Sequence, residues 1–183
     1  MRSEIIADIG INFEGRMDIA RQLIRQAKEC GADVVKFQLY DPKTLLNPAL
    51  FTPNQWMKIL DAKLSYDQAE MLAEYAQQQN IEFMASAFDE ERFGWLAALG
   101  VERHKVASRM LRDEKMKTLV KGSGKPFFVS TGMIELRADW EMHKYGTEMM
   151  DWIHDAQQAT IMLCISEYPT MTSYDIFKED MFS

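Results

Sequence analysis

The chain has 183 residues, 47% of them hydrophobic and 27% charged, with a formal net charge of −7. These values are typical of one folded globular domain with a substantial core, and they exclude a long multidomain architecture. The negative charge disfavours nucleic acid or an anionic membrane as the main partner, so an anionic ligand would need a local basic pocket. Residues 1–6 lack a signal-peptide run, and no window reaches the roughly 20 apolar residues that span a bilayer. We therefore expect a cytoplasmic protein.

Strand and helix patterns alternate along the chain. Isoleucines around Asp8 predict the first strand, and apolar residues at helical spacing predict the helix that follows it. Gly31 ends this helix and leads directly into a buried strand with two β-branched valines. Ser65, with Gln68 at the capping-box position, begins the second long helix. In chain order the predicted elements are strand 3–9, helix 16–29, strand 31–39, helix 54–60, helix 65–79, strand 81–85, helix 90–99, strand 104–107, helix 113–120, strand 126–129, a helical region at 134–158, strand 160–164 and a short helix at 174–178.

This alternation predicts an α/β fold. No hairpin signal joins any two of the strands, and strict strand–helix alternation favours a parallel sheet wrapped by helices. A (β/α)8 TIM-type barrel typically needs about 250 residues and eight units. We therefore predict an incomplete barrel of about six βα units, forming one domain over residues 1–183. A doubly wound open sheet fits the count, but the polar residues follow every strand instead of gathering at one switch point.

The strand at 31–39 carries two polar residues on one face. Lys36 and Gln38 are two residues apart, so their side chains share a face of the strand. A buried ammonium is costly unless an anion or a carboxylate meets it, which indicates that the strand is directed at a ligand. The alternative is that Lys36 reaches solvent along its aliphatic stem.

Polar side chains also follow the other predicted strands. In a barrel, the carboxyl ends of the strands converge on one mouth, where catalytic groups are found. Ammonium groups and short hydroxyls satisfy the many acceptors of a phosphate or carboxylate, so these residues predict an anion site. The alternative for each residue taken alone is that it is a solvent-exposed polar residue that simply ends its strand. The residues are Asp8 with Asn12, Lys36 with Gln38, Ser86, Lys105 with Ser108, Ser130 with Thr131, and Ser166 with Tyr168.

The cysteines and histidines do not indicate a metal site. Cys30 and Cys164 have neither metal-ligand spacing nor a disulfide framework, so we expect both to be reduced and buried. His104, His143 and His154 have no second ligand at a suitable spacing. They are interpreted as surface or packing residues.

Five segments together resemble the sialic acid synthases, in that family's order and with similar spacing. They are Ala7–Gly15, Gly31–Gln38, Lys105–Ser108, Lys125–Met133 and Cys164–Thr170. The resemblance implies condensation of phosphoenolpyruvate with N-acetylmannosamine or a related amino sugar to give a sialic-type acid. It also implies a divalent metal, manganese or magnesium, acting as a Lewis acid. Which amino sugar is used is left open by the resemblance.

The resemblance also assigns roles position by position. Lys36, Lys105, Ser108 and Ser130 match phosphoenolpyruvate-binding positions, whereas Gln38 and Tyr168 match sugar-contacting ones. Several positions carry a different residue from the one usual in the family: Asp8 in place of Glu, Phe13 in place of His, Ser86 in place of Thr, Ala87 in place of Pro, Met110 in place of Glu, Leu163 in place of His and Ser166 in place of Asn. The candidate catalytic residues are Asp8, Lys36 and Lys105, and the candidate substrate-binding residues are Gln38, Ser86, Ser108, Ser130, Ser166 and Tyr168.

The family's metal-binding histidines come from a Ser-Asp-His segment and a later strand, which this sequence does not contain. The closing strands of the barrel and the small C-terminal domain are also expected to be absent, so no metal ligand is assigned. Two hypotheses follow. The first is the N-terminal portion of a sialic acid synthase, either completed by another chain or truncated from a longer one; the second is a catalytically incomplete remnant that binds an anionic ligand or a partner. Open sheet edges must be covered, so a homo-oligomer or a completing chain is expected in either case.

Overall fold

The computed structural model describes residues 2–132, 151–152, 159–162 and 164. The chain divides into two compact units, Met1–Lys105 and Val106–Ser183. Residues 151 and 152 are helical, and the rest of the helical region predicted at 134–158 lies outside the described residues. The short helix predicted at 174–178 lies outside them as well.

The first unit alternates strands and helices as predicted. Ser65 and Gln68 form the predicted capping box, in which each side chain bonds the other residue's backbone N–H. A 3-10 turn, Pro48–Leu50, separates two of the helices. The elements are β1 (Ile6–Gly10), α1 (Met17–Glu29), β2 (Val34–Leu39), α2 (Pro42–Leu45), α3 (Pro53–Asp61), α4 (Tyr66–Gln78), β3 (Glu82–Ala87), α5 (Glu90–Ala98) and β4 (His104–Val106), which begins at the end of this unit.

The second unit continues the same alternation. A 3-10 turn at Ser108–Met110 is followed by α6 (Glu114–Gly122), β5 (Phe127–Ser130) and β6 (Ala159–Met162). β5 and β6 are parallel and pair from Phe127 with Ala159 to Ser130 with Met162. The described residues therefore contain six strands, parallel in each described pairing, which confirms the predicted α/β class and the six βα units.

β2 is the central strand of the first unit. It pairs in parallel with β1 on one side and with β3 on the other. The β2–β3 pairing runs without a break from Val34–Glu82 to Leu39–Ala87. β3 is therefore longer than the predicted strand 81–85, because pairing with β2 keeps its last two residues extended. As a result Ser86 lies inside the strand and not beyond it.

The two faces of β2 differ in chemistry. Phe37, which is fully buried, stacks on Phe83 with 5.6 Å between ring centroids. Phe13, at the position where a histidine was expected from the family pattern, packs edge-on against Phe37 at 5.9 Å. Successive side chains of a strand point to opposite faces, so this aromatic cluster lies on the face away from Lys36. The buried apolar cluster fixes the strand while leaving the other face available for polar groups.

The prediction that both cysteines are buried is wrong for Cys30, which is exposed. Cys30 forms the C-cap of α1, beyond the last fully buried residue of that helix, Ile24. It lines an open cavity of about 250 Å³ with Leu23 of α1 and Asp8 of β1. Cys164 is half-buried.

Arg103 joins two carboxylates beside β3 and β4. Its guanidinium donates to both carboxylate oxygens of Glu82, at 2.9 and 2.6 Å, and to both oxygens of Glu4. These hydrogen bonds from Arg103 hold the pKa of Glu4 below its ordinary value of 4.5. Paired charge-assisted bonds of this kind link the segment before β1 to the start of β3.

We expect Arg103→Met to lower the free energy of unfolding at pH 7 by about 2 kcal/mol, because two carboxylates lose their shared partner. A carboxyl group whose pKa is lowered by folding stabilises the fold above its unfolded pKa, and that contribution is lost as the pH falls through the folded pKa. The wild-type stability should therefore fall below about pH 5 more steeply than that of the variant. Urea denaturation from pH 7 to pH 3 measures both slopes, and parallel curves would contradict the assignment to Glu4.

Candidate functional site

Five of the predicted site residues lie on one face of the first unit's sheet. Lys36 pairs in register with Asp8 of β1, and Gln38 pairs with Ser86 of β3. Ser86 in turn pairs with Lys105 of β4. Residues directly opposite each other on neighbouring strands point to the same side of the sheet, as do residues two apart on one strand. The register therefore gathers all five side chains on the face opposite Phe37.

Lys36 is held in an ion pair. Its Nζ lies 2.8 Å from Oδ1 of Asp8, and its side chain is only 11% exposed, whereas that of Asp8 is 54% exposed. The alternative, in which the lysine stem carries the ammonium out to solvent, is wrong, since the ammonium meets a carboxylate within the chain. An ammonium has three donors, so the bond to Asp8 leaves capacity for a further acceptor. An incoming anion would approach Lys36 beside the exposed carboxylate.

Gly10 shapes the end of β1 next to this pair. The register of β1 against β2 shifts between Asp8 and Gly10, and Gly10 has a φ of +56°, which favours glycine. A Cβ at this position would lie 3.4 Å from Oδ1 of Asp8 and 3.5 Å from Nε2 of Gln38. The carboxylate and the amide therefore flank the same backbone position, which places Gln38 next to the Asp8–Lys36 pair.

The remaining members of this face are buried polar residues. Ser86 is 2% exposed and Lys105 is 7% exposed. Burying an ammonium or a hydroxyl group costs free energy unless the group forms a hydrogen bond or an ion pair. Buried polar groups gathered on one face therefore indicate a binding site. Met84, which the sequence pattern did not single out, lies opposite Lys36 on β3 and is fully buried. The five polar residues and Met84 thus share one face of the sheet, and the Met84 thioether is its apolar member.

Ser108 and Ser130 belong to the second unit, where each is described by its own contacts. The Oγ of Ser108 accepts a hydrogen bond of 3.0 Å from the backbone N–H of Gly132. Ser130 ends β5 and is 8% exposed. Thr131, predicted as its companion, donates from both its backbone N–H and its Oγ1 to the carbonyl of Met162, each at 3.1 Å. Its hydroxyl proton is therefore engaged in holding the strand ends.

Ser166 and Tyr168 lie outside the described residues. Among the residues that the structure does describe, no group of three or more His, Cys, Asp or Glu side chains could hold a metal ion. The metal implied by the resemblance therefore has no ligand set in this part of the chain. None of the described helices is both long enough and apolar enough to cross a membrane.

The segment after β2 is anchored beside this face. The hydroxyl of Tyr40 donates to the carbonyl of Ile59 in α3 at 2.8 Å, and burial raises the pKa of Tyr40 to about 12. Asp41 caps α2 and accepts from the backbone N–H of Lys43 and the ammonium of Lys63, which together hold its pKa below the ordinary value. Sequence reasoning missed Asp41, because its partner Lys63 lies 22 residues away.

Comparisons with known proteins find relatives that match most of this chain. The N,N'-diacetyllegionaminic acid synthase of Legionella pneumophila is 32% identical over an alignment of 183 positions, which covers 90% of this chain and 49% of the relative. The N-acetylneuraminate-9-phosphate synthase of Mus musculus is 37% identical over 139 residues, covering 70% of this chain and 39% of the relative. This chain thus spans about half or less of the length of these relatives.

A solved structure shows the same fold. The N-acetylneuraminic acid synthetase of Leptospira borgpetersenii superposes with a TM-score of 0.76 at 26% identity, covering 93% of this chain and 56% of the other. The sequence also matches the NeuB family over residues 23–176. These findings confirm both the resemblance and the fold class predicted from the sequence. The chain belongs to the NeuB family, and it is similar to synthases of N,N'-diacetyllegionaminic acid and N-acetylneuraminate 9-phosphate.

Proposed function

We propose that this chain acts as a sialic acid synthase, which condenses phosphoenolpyruvate with N-acetylmannosamine or a related amino sugar. Membership of the NeuB family supports a synthase function. The observation that carries the proposal is the polar face on which Asp8, Lys36, Gln38, Ser86 and Lys105 meet. Two buried lysines on one face suit a small ligand with several negative charges.

In the proposed reaction the methylene carbon of phosphoenolpyruvate attacks the aldehyde carbon of the sugar and forms the new C–C bond. The aldehyde oxygen takes the electron pair of its C=O π bond. Water then adds at the carbon that bears the phosphate; one proton of the water ends on the former aldehyde oxygen, and phosphate leaves with the electron pair of its C–O bond and the other proton. Lys36 and Lys105 balance the charge of the phosphate and carboxylate throughout, and Asp8 orients the Lys36 ammonium through the 2.8 Å contact. Gln38, flanking the pair, donates to or accepts from the sugar.

Ser86 supplies a hydroxyl on the same face. The substrate-binding roles of Ser108 and Ser130, which belong to the second unit, stay predictions. The family resemblance implies manganese or magnesium, but no step is assigned to a metal, because the described residues do not form a ligand set. The roles of Ser166 and Tyr168 in substrate binding stay predictions.

The test is turnover by the purified chain. Phosphoenolpyruvate, N-acetylmannosamine and Mn²⁺ are supplied, phosphate release is followed, and the nine-carbon product is identified by mass spectrometry. We expect release of phosphate only when both substrates are present. Binding of phosphoenolpyruvate without turnover, weakened by Lys105→Ala, would favour the alternative of an anion-binding remnant. No binding of phosphoenolpyruvate would overturn both.

A further inference from the structure

Arg92 is a buried guanidinium beside the candidate site. It lies in the first turn of α5, with only 9% of its side chain exposed. Its Nη1 donates to Asp89 at 3.2 Å and to Glu91 at 2.8 Å. Its Nη2 lies 3.7 Å from Oδ2 of Asp41, and the same oxygen accepts from Lys63 at 3.2 Å. One guanidinium thus contacts carboxylates from two separate loops.

These two loops continue the strands that carry site residues. Asp41 lies three residues after Gln38, and Asp89 lies three residues after Ser86. Gln38 and Ser86 are themselves register partners on β2 and β3. Arg92 therefore connects Asp41 and Asp89, which lie at the same distance along the chain from Gln38 and Ser86.

The strand ends are joined by one more bond at this point. The backbone N–H of Phe88 donates to the carbonyl of Leu39 at 3.1 Å, just past the last paired residues of the two strands. If the loops separated, this bond would be the first to open. It therefore reports whether the ends of β2 and β3 stay together.

Stability alone does not account for this arginine. Its Nε is buried and has no acceptor among the residues that the structure describes. An unmade hydrogen bond of a buried group is costly, and an apolar residue in place of a buried ion network is often neutral or stabilising. The guanidinium also lies 5.0 Å from the ring of Trp95, which limits its freedom to move.

We propose that Arg92 is a positioning residue, which holds the ends of β2 and β3 together and so fixes Gln38 and Ser86 towards the ligand. The rigid fork of arginine suits this task, because one planar group can bond to carboxylates on two sides. The proposal rests on the proposed function, since it assigns phosphoenolpyruvate and the sugar to this face.

The experiment compares Arg92→Met with Arg103→Met. In the first variant the N-cap of α5 survives, because Asp89 accepts that 2.8 Å bond from the backbone N–H of residue 92. Arg103 is the matched control: its guanidinium is also largely covered and also contacts carboxylates from two segments, but one of them is Glu82, the first residue of β3. Each purified variant is titrated with phosphoenolpyruvate by calorimetry, and hydrogen exchange of the Phe88 amide is measured without ligand.

We expect Arg92→Met to weaken phosphoenolpyruvate binding by about 3- to 30-fold and to speed exchange at Phe88. Arg103→Met should change the affinity by less than about twofold, even where it lowers the unfolding temperature. Unchanged affinity or unchanged Phe88 exchange in Arg92→Met overturns the proposal, as does an equal loss of affinity in both variants. If the wild type binds no phosphoenolpyruvate, the proposed function fails and this inference with it; failure of the inference alone leaves wild-type binding intact.

Discussion

Lys36→Met is expected to weaken phosphoenolpyruvate binding by at least about 30-fold, because truncating one partner of a buried charge pair typically costs about 2 kcal/mol or more. The ammonium of Lys36 is one of two buried lysine charges on the candidate face, and Asp8 lies 2.8 Å from it. Without the ammonium, the Asp8 carboxylate would face the incoming anion uncompensated, so repulsion would add to the lost attraction. Calorimetric titration measures the change directly.

The same substitution should leave the fold nearly as stable. Methionine preserves most of the length of the lysine stem, and Asp8 is exposed enough for water to solvate its carboxylate. Lys58→Met is the matched control: it removes the same charge from an exposed ion pair, in which Nζ lies 2.6 Å from Glu14. We expect the control to bind like the wild type. Equal losses in both variants would show a general charge effect and contradict a specific role for Lys36.

Phe37→Ala, at the neighbouring position, should instead lower the stability of the fold by a large amount. Phe37 is fully buried between the rings of Phe13 and Phe83, and removing such a side chain costs about 3–5 kcal/mol. Domains of this kind are stable by only about 5–15 kcal/mol, so the variant should be close to unfolding at room temperature. Urea denaturation followed by circular dichroism measures the loss.

Phe51→Ala is the control for this second substitution. Phe51 is half-buried and contacts Trp56 with 6.1 Å between ring centroids, away from the aromatic cluster of β2. We expect it to cost about 1 kcal/mol. If Phe37→Ala were no more destabilising than Phe51→Ala, the aromatic cluster would not be what fixes β2.

Local patterns predicted much of the architecture. The period of two in β2 placed Lys36 and Gln38 on one face, and the Ser65 capping box marked the start of α4. The sequence also indicated that an anion or a carboxylate must meet Lys36. It did not identify Asp8 as that partner, because the choice depends on how β1 is aligned against β2.

The remaining differences also arise from contacts between distant segments. Ser86 was predicted to follow its strand, since the local sequence there is not β-branched, and it is pairing with β2 that extends β3 past it. The sequence analysis did not single out Arg92, because its contact with Asp41 joins residues that lie 51 positions apart in the chain (92 − 41). Cys30 followed an apolar helix, but α1 ends beside an open cavity.

The aromatic side chain of β2, Phe37, lies on one face and its polar side chains on the other, so substitutions on the polar face should be tolerated by the fold. Because the tight packing is on the Phe37 side, replacements of Gln38 and of Asp8 remove few apolar contacts and should leave most variants folded. Combinatorial libraries at these two positions can therefore be screened for changed ligand binding without first raising the thermal stability of the parent.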